Sequence, residues 1–429
     1  MVCSIRKENI AYIRRPQNQH VQSTMQLNQV FSSMRRWDAA LGVGLLAVAL
    51  VLTGCDSDDS GMDDEFDDPA TTLTLAERVS NQDALSTLNT ALGATGQAET
   101  LGSEDATFTV FAPSNAAFEP YDVDFLTRNT GLLSSVLDYH IVQGDALTAD
   151  NLEDGQTLTT VQGDELEVTI DDEGNVFVEG AQVTTADVEA TNGVAHVVDD
   201  VLLTNRTAAE RVQVTNATST LNAALTAAER AQTLGNEDAT FTVFAPSDAA
   251  FEPYDVDLLT NNPGLLGSVL DYHVVQGNAV TSNDLSAGEN TYPTVQGDEI
   301  TVTVADDGTV SVEGAQVTAA DIEAGNAAIH LVDDVLLTNR TLAERLQTTT
   351  ATQELYNAVT NAGLGSAFNN QDNTWTTFAP NNEAFENADL SGFSDNEIQE
   401  ILQYHVLPDQ VTDSGDLLGL LAQNDGQVS

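Results

Sequence analysis

The chain carries one long segment nearly three times, and this repetition constrains its folding more than any other property. Thr107-Phe-Thr-Val-Phe-Ala-Pro-Ser114 returns as Thr240-Phe-Thr-Val-Phe-Ala-Pro-Ser247, and more loosely as Thr376-Thr-Phe-Ala-Pro380. Asp138-Tyr-His140 returns as Asp271-Tyr-His273 and as Gln403-Tyr-His405. Val198-Asp-Asp-Val-Leu-Leu-Thr-Asn-Arg206 returns as Val332-Asp-Asp-Val-Leu-Leu-Thr-Asn-Arg340. His140 and His273 stand 133 residues apart, and Asp199 and Asp333 stand 134 apart. A period of that length is the size of an autonomous domain, not of a solenoid repeat. Function is therefore to be sought in what tandem copies of one module do.

Each copy opens on a helix signature. Thr74, Thr207 and Thr341 are each followed three residues later by Glu77, Glu210 and Glu344, the spacing of a capping box. Leu85, Leu88 and Leu92 then recur at helical spacing. A strand over 107–112 ends at Pro113, and Ser114 caps a short helix reaching Phe118. The run 131–137 is helical and delivers Tyr139-His140 into a strand over 139–142. Alternation marks strands at 166–170 and 175–179, joined by Asp171-Asp-Glu-Gly174 as a hairpin turn, as Asp306-Asp-Gly308 is in the second copy. Further strands are expected over 183–190 and 195–203. Helices followed by a run of short strands predict an α+β domain with an antiparallel sheet or sandwich.

These boxes resemble those of the fasciclin domain: the Thr107–Phe118 run, the central Tyr139-His140 and the closing His196-Val-Val-Asp-Asp-Val-Leu202. The resemblance covers 73–205, 206–339 and 340–429. It implies tandem α+β wedges, each a two-sheet β-sandwich with helices packed on one side. It also implies a secreted or anchored adhesion or matrix protein. In that family the Tyr-His segment is linked to adhesion, which here designates Tyr139, His140, Tyr272, His273, Tyr404 and His405. Some members carry pigments. The alternative function is therefore an envelope carrier of an apolar ligand, such as a carotenoid or lipid, held between helices and sheet.

Little in the sequence points to reaction chemistry. Outside the leader, His140, His196, His273, His330 and His405 all sit at repeated positions. A zinc site needs three or four converging ligands, and each complete copy offers two histidines and no thiol. These histidines read as core groups hydrogen-bonded to backbone or hydroxyls, and no metal or cofactor is expected. No nucleophile elbow, phosphate-cradling glycine loop or His-Glu-x-x-His motif is present, so the chain is not expected to be an enzyme. Phe108, Val110, Phe111 and Phe118 read as core rather than as a pocket lining.

Charge excludes another class of partner. The chain has 67 acidic and 13 basic residues, a net charge of −54. Past Cys55 the only cations are Arg78, Arg128, Arg206, Arg211, Arg230, Arg340 and Arg345. Such a surface repels phosphate backbones and anionic lipid headgroups. Two sources of acidity stay open, a halophilic surface and cation sites, although no calcium loop of the usual ligand spacing is found. On the halophilic reading, the thermal midpoint should rise from dilute buffer to molar salt, because screening relieves carboxylate repulsion. A midpoint that stays flat across that range counts against it.

The amino-terminal region reads as a leader and an anchor. Residues 34–54 comprise a basic start, an apolar core from Ala39 to Leu52, and small residues before Cys55. The apolar run is short for a membrane span and suits a signal peptide. Leu52-Thr-Gly-Cys55 resembles the bacterial lipobox, which implies cleavage before Cys55 and lipidation of its thiol. Residues 1–33 are expected to be an extension upstream of the true start, at Met34 or at Met25, and 55–72 an acidic disordered tether. The third copy lacks counterparts of the closing strands and is expected to be truncated. A partly ordered segment, or completion by another molecule, stays open. The expected protein is a lipid-anchored envelope adhesin, at the outer membrane or cell surface rather than the inner membrane. Its partner is a protein or polysaccharide outside the cell, with membrane contact through the lipid alone and no nucleic acid bound.

Overall fold

A computed structural model describes residues 72–370, 375–388, 390 and 392–408. The expected leader, Cys55 and nearly all of the tether lie outside them.

Capping sets where each copy begins. Thr74 accepts a hydrogen bond from the Glu77 amide, and the Glu77 carboxylate answers the Thr74 amide. The same box opens the helices Ala208–Val214 and Leu342–Thr348. In the first copy the helices Ser86–Thr95, Gln97–Leu101, Val123–Arg128 and Thr130–Tyr139 follow. Leu88, Leu92, Leu126, Leu133 and Leu137 from these helices share one core.

That core rests on a curled sheet. Its strands are β1 (Phe108–Pro113), β2 (Ile141–Gln143), β3 (Gln156–Thr159), β4 (Glu165–Ile170), β5 (Val176–Val178), β6 (Ala181–Ala190) and β7 (Gly193–Val198). Their order is β2-β1-β7-β6-β5-β4-β3. Register shifts in β6 bend the sheet, as bulges do. A bridge between Val142 and Thr160 brings the two edges together. The result is a barrel-like sandwich with helices on one side. Phe108, Val110 and Ala112 face the helices. Phe111 faces inward, onto Leu166, Val168 and Val178. Burial on both faces explains why β1 and β7 are apolar almost throughout.

The second copy repeats this with β8 (Phe241–Pro246), β9 (Val274–Gln276), β10 (Gly288–Pro293), β11 (Glu299–Val304), β12 (Val310–Val312), β13 (Ala315–Ala324) and β14 (Ala327–Val332). Among the described residues of the third copy, β15 (Trp375–Thr377) pairs with β16 (Val406–Pro408). The Trp375 ring meets Phe368 edge-on at 4.8 Å.

Three expectations need correction. The helix runs through Tyr139, with His140 as its cap, and the strand starts only at Ile141. The His140 amide still donates to the Leu137 carbonyl, which keeps it in the helix's hydrogen-bond pattern. The last strand ends at Val198, not Leu203. There the Asp199 carboxylate takes the Gln182 amide and that of Asp200 takes the Val201 amide, turning the chain off the sheet. The sheet is also not wholly antiparallel, because β1 runs parallel to β7. The expected hairpin turns are present, with Gly174 and Gly308 at φ 85°.

Candidate functional site

Tyr139 and His140 sit where helix Thr130–Tyr139 meets the sheet, and they point different ways. The Tyr139 hydroxyl donates to the Glu165 carbonyl at 3.1 Å and lies 3.4 Å from the Thr204 hydroxyl. Burial pushes its pKa up to about 12. The His140 ring is 1% exposed. Its Nδ1–H donates to the Val136 carbonyl at 2.8 Å, and its Nε2 accepts the Leu202 amide at 2.9 Å. A carbonyl can only accept and an amide can only donate, so the imidazole is neutral and its tautomer is fixed. Burial pushes its pKa down to about 4.

Tyr272 and His273 repeat the arrangement. His273 bridges the Val269 carbonyl and the Leu336 amide, and burial also pushes its pKa down to about 4. The Tyr272 hydroxyl donates to the Glu299 carbonyl, and burial raises its pKa. In the third copy His405 keeps the helix bond, to the Ile401 carbonyl at 2.8 Å, while Tyr404 is 90% exposed. In the first two copies, then, the Tyr-His pair staples a helix to the closing segment and presents no surface to a partner.

The other repeated histidines are equally inward. His196 donates from Nε2 to the Leu147 carbonyl, accepts the Asp187 amide at Nδ1 and stacks on Phe111. Burial lowers its pKa. His330 makes the same contacts with Val280, Asp321 and Phe244. Among the described residues no three His, Cys, Asp or Glu side chains gather as metal ligands.

Two other constellations escaped the sequence reading. Asn192 is buried, takes the Leu75 amide on Oδ1 and donates to the Leu101 and Ser103 carbonyls. Asn326 does the same for Ala208, Leu234 and Asn236. An asparagine recurring at the domain period was the available signal. The second constellation lies where the copies meet. The Tyr121 hydroxyl donates to Asp200 at 2.8 Å, and the Arg211 guanidinium of the next copy lies 5.8 Å from the Tyr121 ring centre. Burial pushes the Tyr121 pKa up to about 12, opposed by the Arg211 charge. The repeated Pro120-Tyr-Asp122 and Pro253-Tyr-Asp255 were its signal.

Beside that junction opens a cleft of about 570 Å³, lined by Glu167, Glu179, Asp200, Arg211, Asp321 and Glu323 among others. It is polar and acidic. Two apolar cavities of the second copy, beside His330 and beside Leu270, hold only about 10 Å³ each. That is roughly the room one water needs.

The model of the fasciclin domain matches residues 83–204, 216–338 and 350–424. The chain is 31% identical over 317 residues to pig transforming growth factor-beta-induced protein ig-h3, covering 71% of this chain and 45% of that protein. It is 30% identical over 315 residues to human periostin, covering 70% and 36%. It is 37% identical over 136 residues to Protein sll1483 of Synechocystis, covering 30% of this chain and 73% of that one. The chain thus spans less than half the length of the first two of these relatives. Among solved structures, a FAS1 domain pair from the insect cell adhesion molecule Fasciclin I gives a TM-score of 0.31 at 23% identity, covering 60% of this chain and 97% of that one.

Proposed function

The chain belongs to the fasciclin-domain family, and we propose that it is a lipid-anchored cell-envelope protein whose tandem modules mediate adhesion to other cells or to matrix. The partner is a protein or polysaccharide outside the cell. What supports adhesion is the array itself. Copies of one module on one chain turn weak single contacts into useful avidity. The Tyr-His pairs of the first two copies are spent on the fold, so contact falls to other, exposed surfaces.

The anchor rests on Cys55 and the lipobox-like residues before it. No helix among the described residues is long and apolar enough to cross a membrane. Carriage of a carotenoid or lipid between helices and sheet has weaker support: two apolar cavities of the second copy hold about 10 Å³ each and an apolar cleft of the third copy, lined by Phe385, Ile398, Ile401 and Leu402, about 190 Å³, below the roughly 300 Å³ at which ligand pockets begin.

Deletion of the gene in its host should abolish surface attachment or clumping, with the wild-type gene restoring it. Unchanged attachment would overturn the adhesive role. Cys55→Ser should release nearly all of the protein from membranes or leave unprocessed precursor. Membrane retention with continued acyl labelling of that variant would refute the anchor. Protease shaving of intact cells should remove the three modules if they face outward.

A further inference from the structure

We infer that each Pro-Tyr-Asp segment is a socket for the following copy, so that consecutive copies form one coupled body instead of independent domains on a string. This goes beyond the adhesive role and holds whichever partner the array contacts.

The first copy's core is completed by its neighbour. Val214, on the first helix of the second copy, is buried with Leu126 and Leu133 of the first. The backbone binds it there. The Asp122 amide donates to the Val214 carbonyl at 2.8 Å, and the Asn216 amide donates to the Pro120 carbonyl at 2.9 Å. The Asn216 side-chain amide donates to the Glu119 and Tyr121 carbonyls at 3.0 and 2.9 Å.

Each socket residue has its own task. Pro120 has no amide to leave unpaired, and it presents a carbonyl. Asp122 caps the helix Val123–Arg128 through the Phe125 amide while its own amide serves the neighbour. The Tyr121 ring lies between Asp200 of its own copy and Arg211 of the next. It carries both a hydrogen bond and a cation–π contact.

The second junction is built alike. The Asp255 amide donates to the Thr348 carbonyl at 2.7 Å, and the Thr350 amide donates to the Pro253 carbonyl at 2.9 Å. The Tyr254 hydroxyl donates to Asp334 at 2.7 Å. The third copy has Asn387-Ala388 where the first two have Pro-Tyr, so the aromatic ring of the socket is missing from its sequence. Such a contact is directional, head to tail, and couples nearest neighbours as in repeat proteins. Surfaces on successive copies are then held at a fixed spacing.

Amide exchange on the full chain tests this. In the wild type, the Asp122 and Asn216 amides should be protected as the neighbouring helices are. Asn216→Ala removes two side-chain hydrogen bonds across the junction and should speed the Asp122 amide by tenfold or more. Arg211→Ala should speed both amides by a similar factor, with the Leu92 and Leu137 amides of the first copy unchanged. If that variant also loosens Leu92 and Leu137, Asn216→Ala alone decides, because Asn216 is exposed and its side chain bonds only across the junction. Wild-type junction amides exchanging as fast as those of exposed loops would overturn the coupling. So would an absence of acceleration in Asn216→Ala.

Discussion

Replacing His140 with alanine should destabilise the first copy by about 3–5 kcal/mol, and His273→Ala should do the same to the second. Each change leaves a buried amide, that of Leu202 or Leu336, without its acceptor, and a helix carbonyl without its donor. It also opens a cavity the size of an imidazole. Urea unfolding of the full chain should show the loss, and His140→Gln, which retains a donor and an acceptor, should recover part of it. A loss below about 1 kcal/mol in His140→Ala would show that the staple is dispensable.

The same histidines set a pH dependence. Their folded pKa values lie at about 4, below the ordinary imidazole value of 6.5. The unfolded chain therefore binds protons that the folded chain refuses. The stability is fully present above pH 6.5 and is lost as pH falls towards 4. From these values each histidine contributes about 3 kcal/mol. The measurement belongs in molar salt, where repulsion among the carboxylates is screened. His140→Gln should remove about one proton from the slope of stability against pH in that window. An unchanged slope would assign it to other groups.

Asn326→Ala carries the second large effect, about 2–4 kcal/mol. One side chain takes the Ala208 amide at 2.8 Å and donates to the Leu234 and Asn236 carbonyls at 2.9 and 3.0 Å. Ala208 is fully buried, so water cannot replace the lost acceptor. Asn326→Asp keeps the acceptor but loses both donors and buries a charge, so it should be at least as damaging. Because Ala208 starts the helix that carries Arg211 and Val214, the loosening should spread to the junction amides. Thermal unfolding checks the size, and a change within about 0.5 kcal/mol would place Asn326 among ordinary surface positions.

Much of the fold was legible from residues a few positions apart. The capping boxes at Thr74, Thr207 and Thr341 are satisfied as their spacing predicts. Leu88 and Leu92 face the core, and the turn glycines Gly174 and Gly308 take left-handed angles. The periodicity at Tyr139-His140 misled because a helix cap and a strand start share one apolar run. The closing segment read as strand through Leu203 because it is apolar and buried. Val201 and Leu203 are buried in the helical core and Leu202 inside the sheet, held by the histidine staple and not by strand pairing.

The sequence by itself determined the module, its repetition, its family resemblance and its local caps and turns. Each of these rests on contacts within a few residues or on direct repetition. Only the tertiary structure decided the roles of the repeated polar residues. His140 meets its amide donor 62 residues away, and Asn326 meets its first partner 118 residues away. β1 pairs in parallel with β7 only after the whole first copy has closed. Val214 enters the first copy's core only when a second copy is docked. Such contacts depend on where the chain returns, and a pattern of neighbouring residues does not encode that.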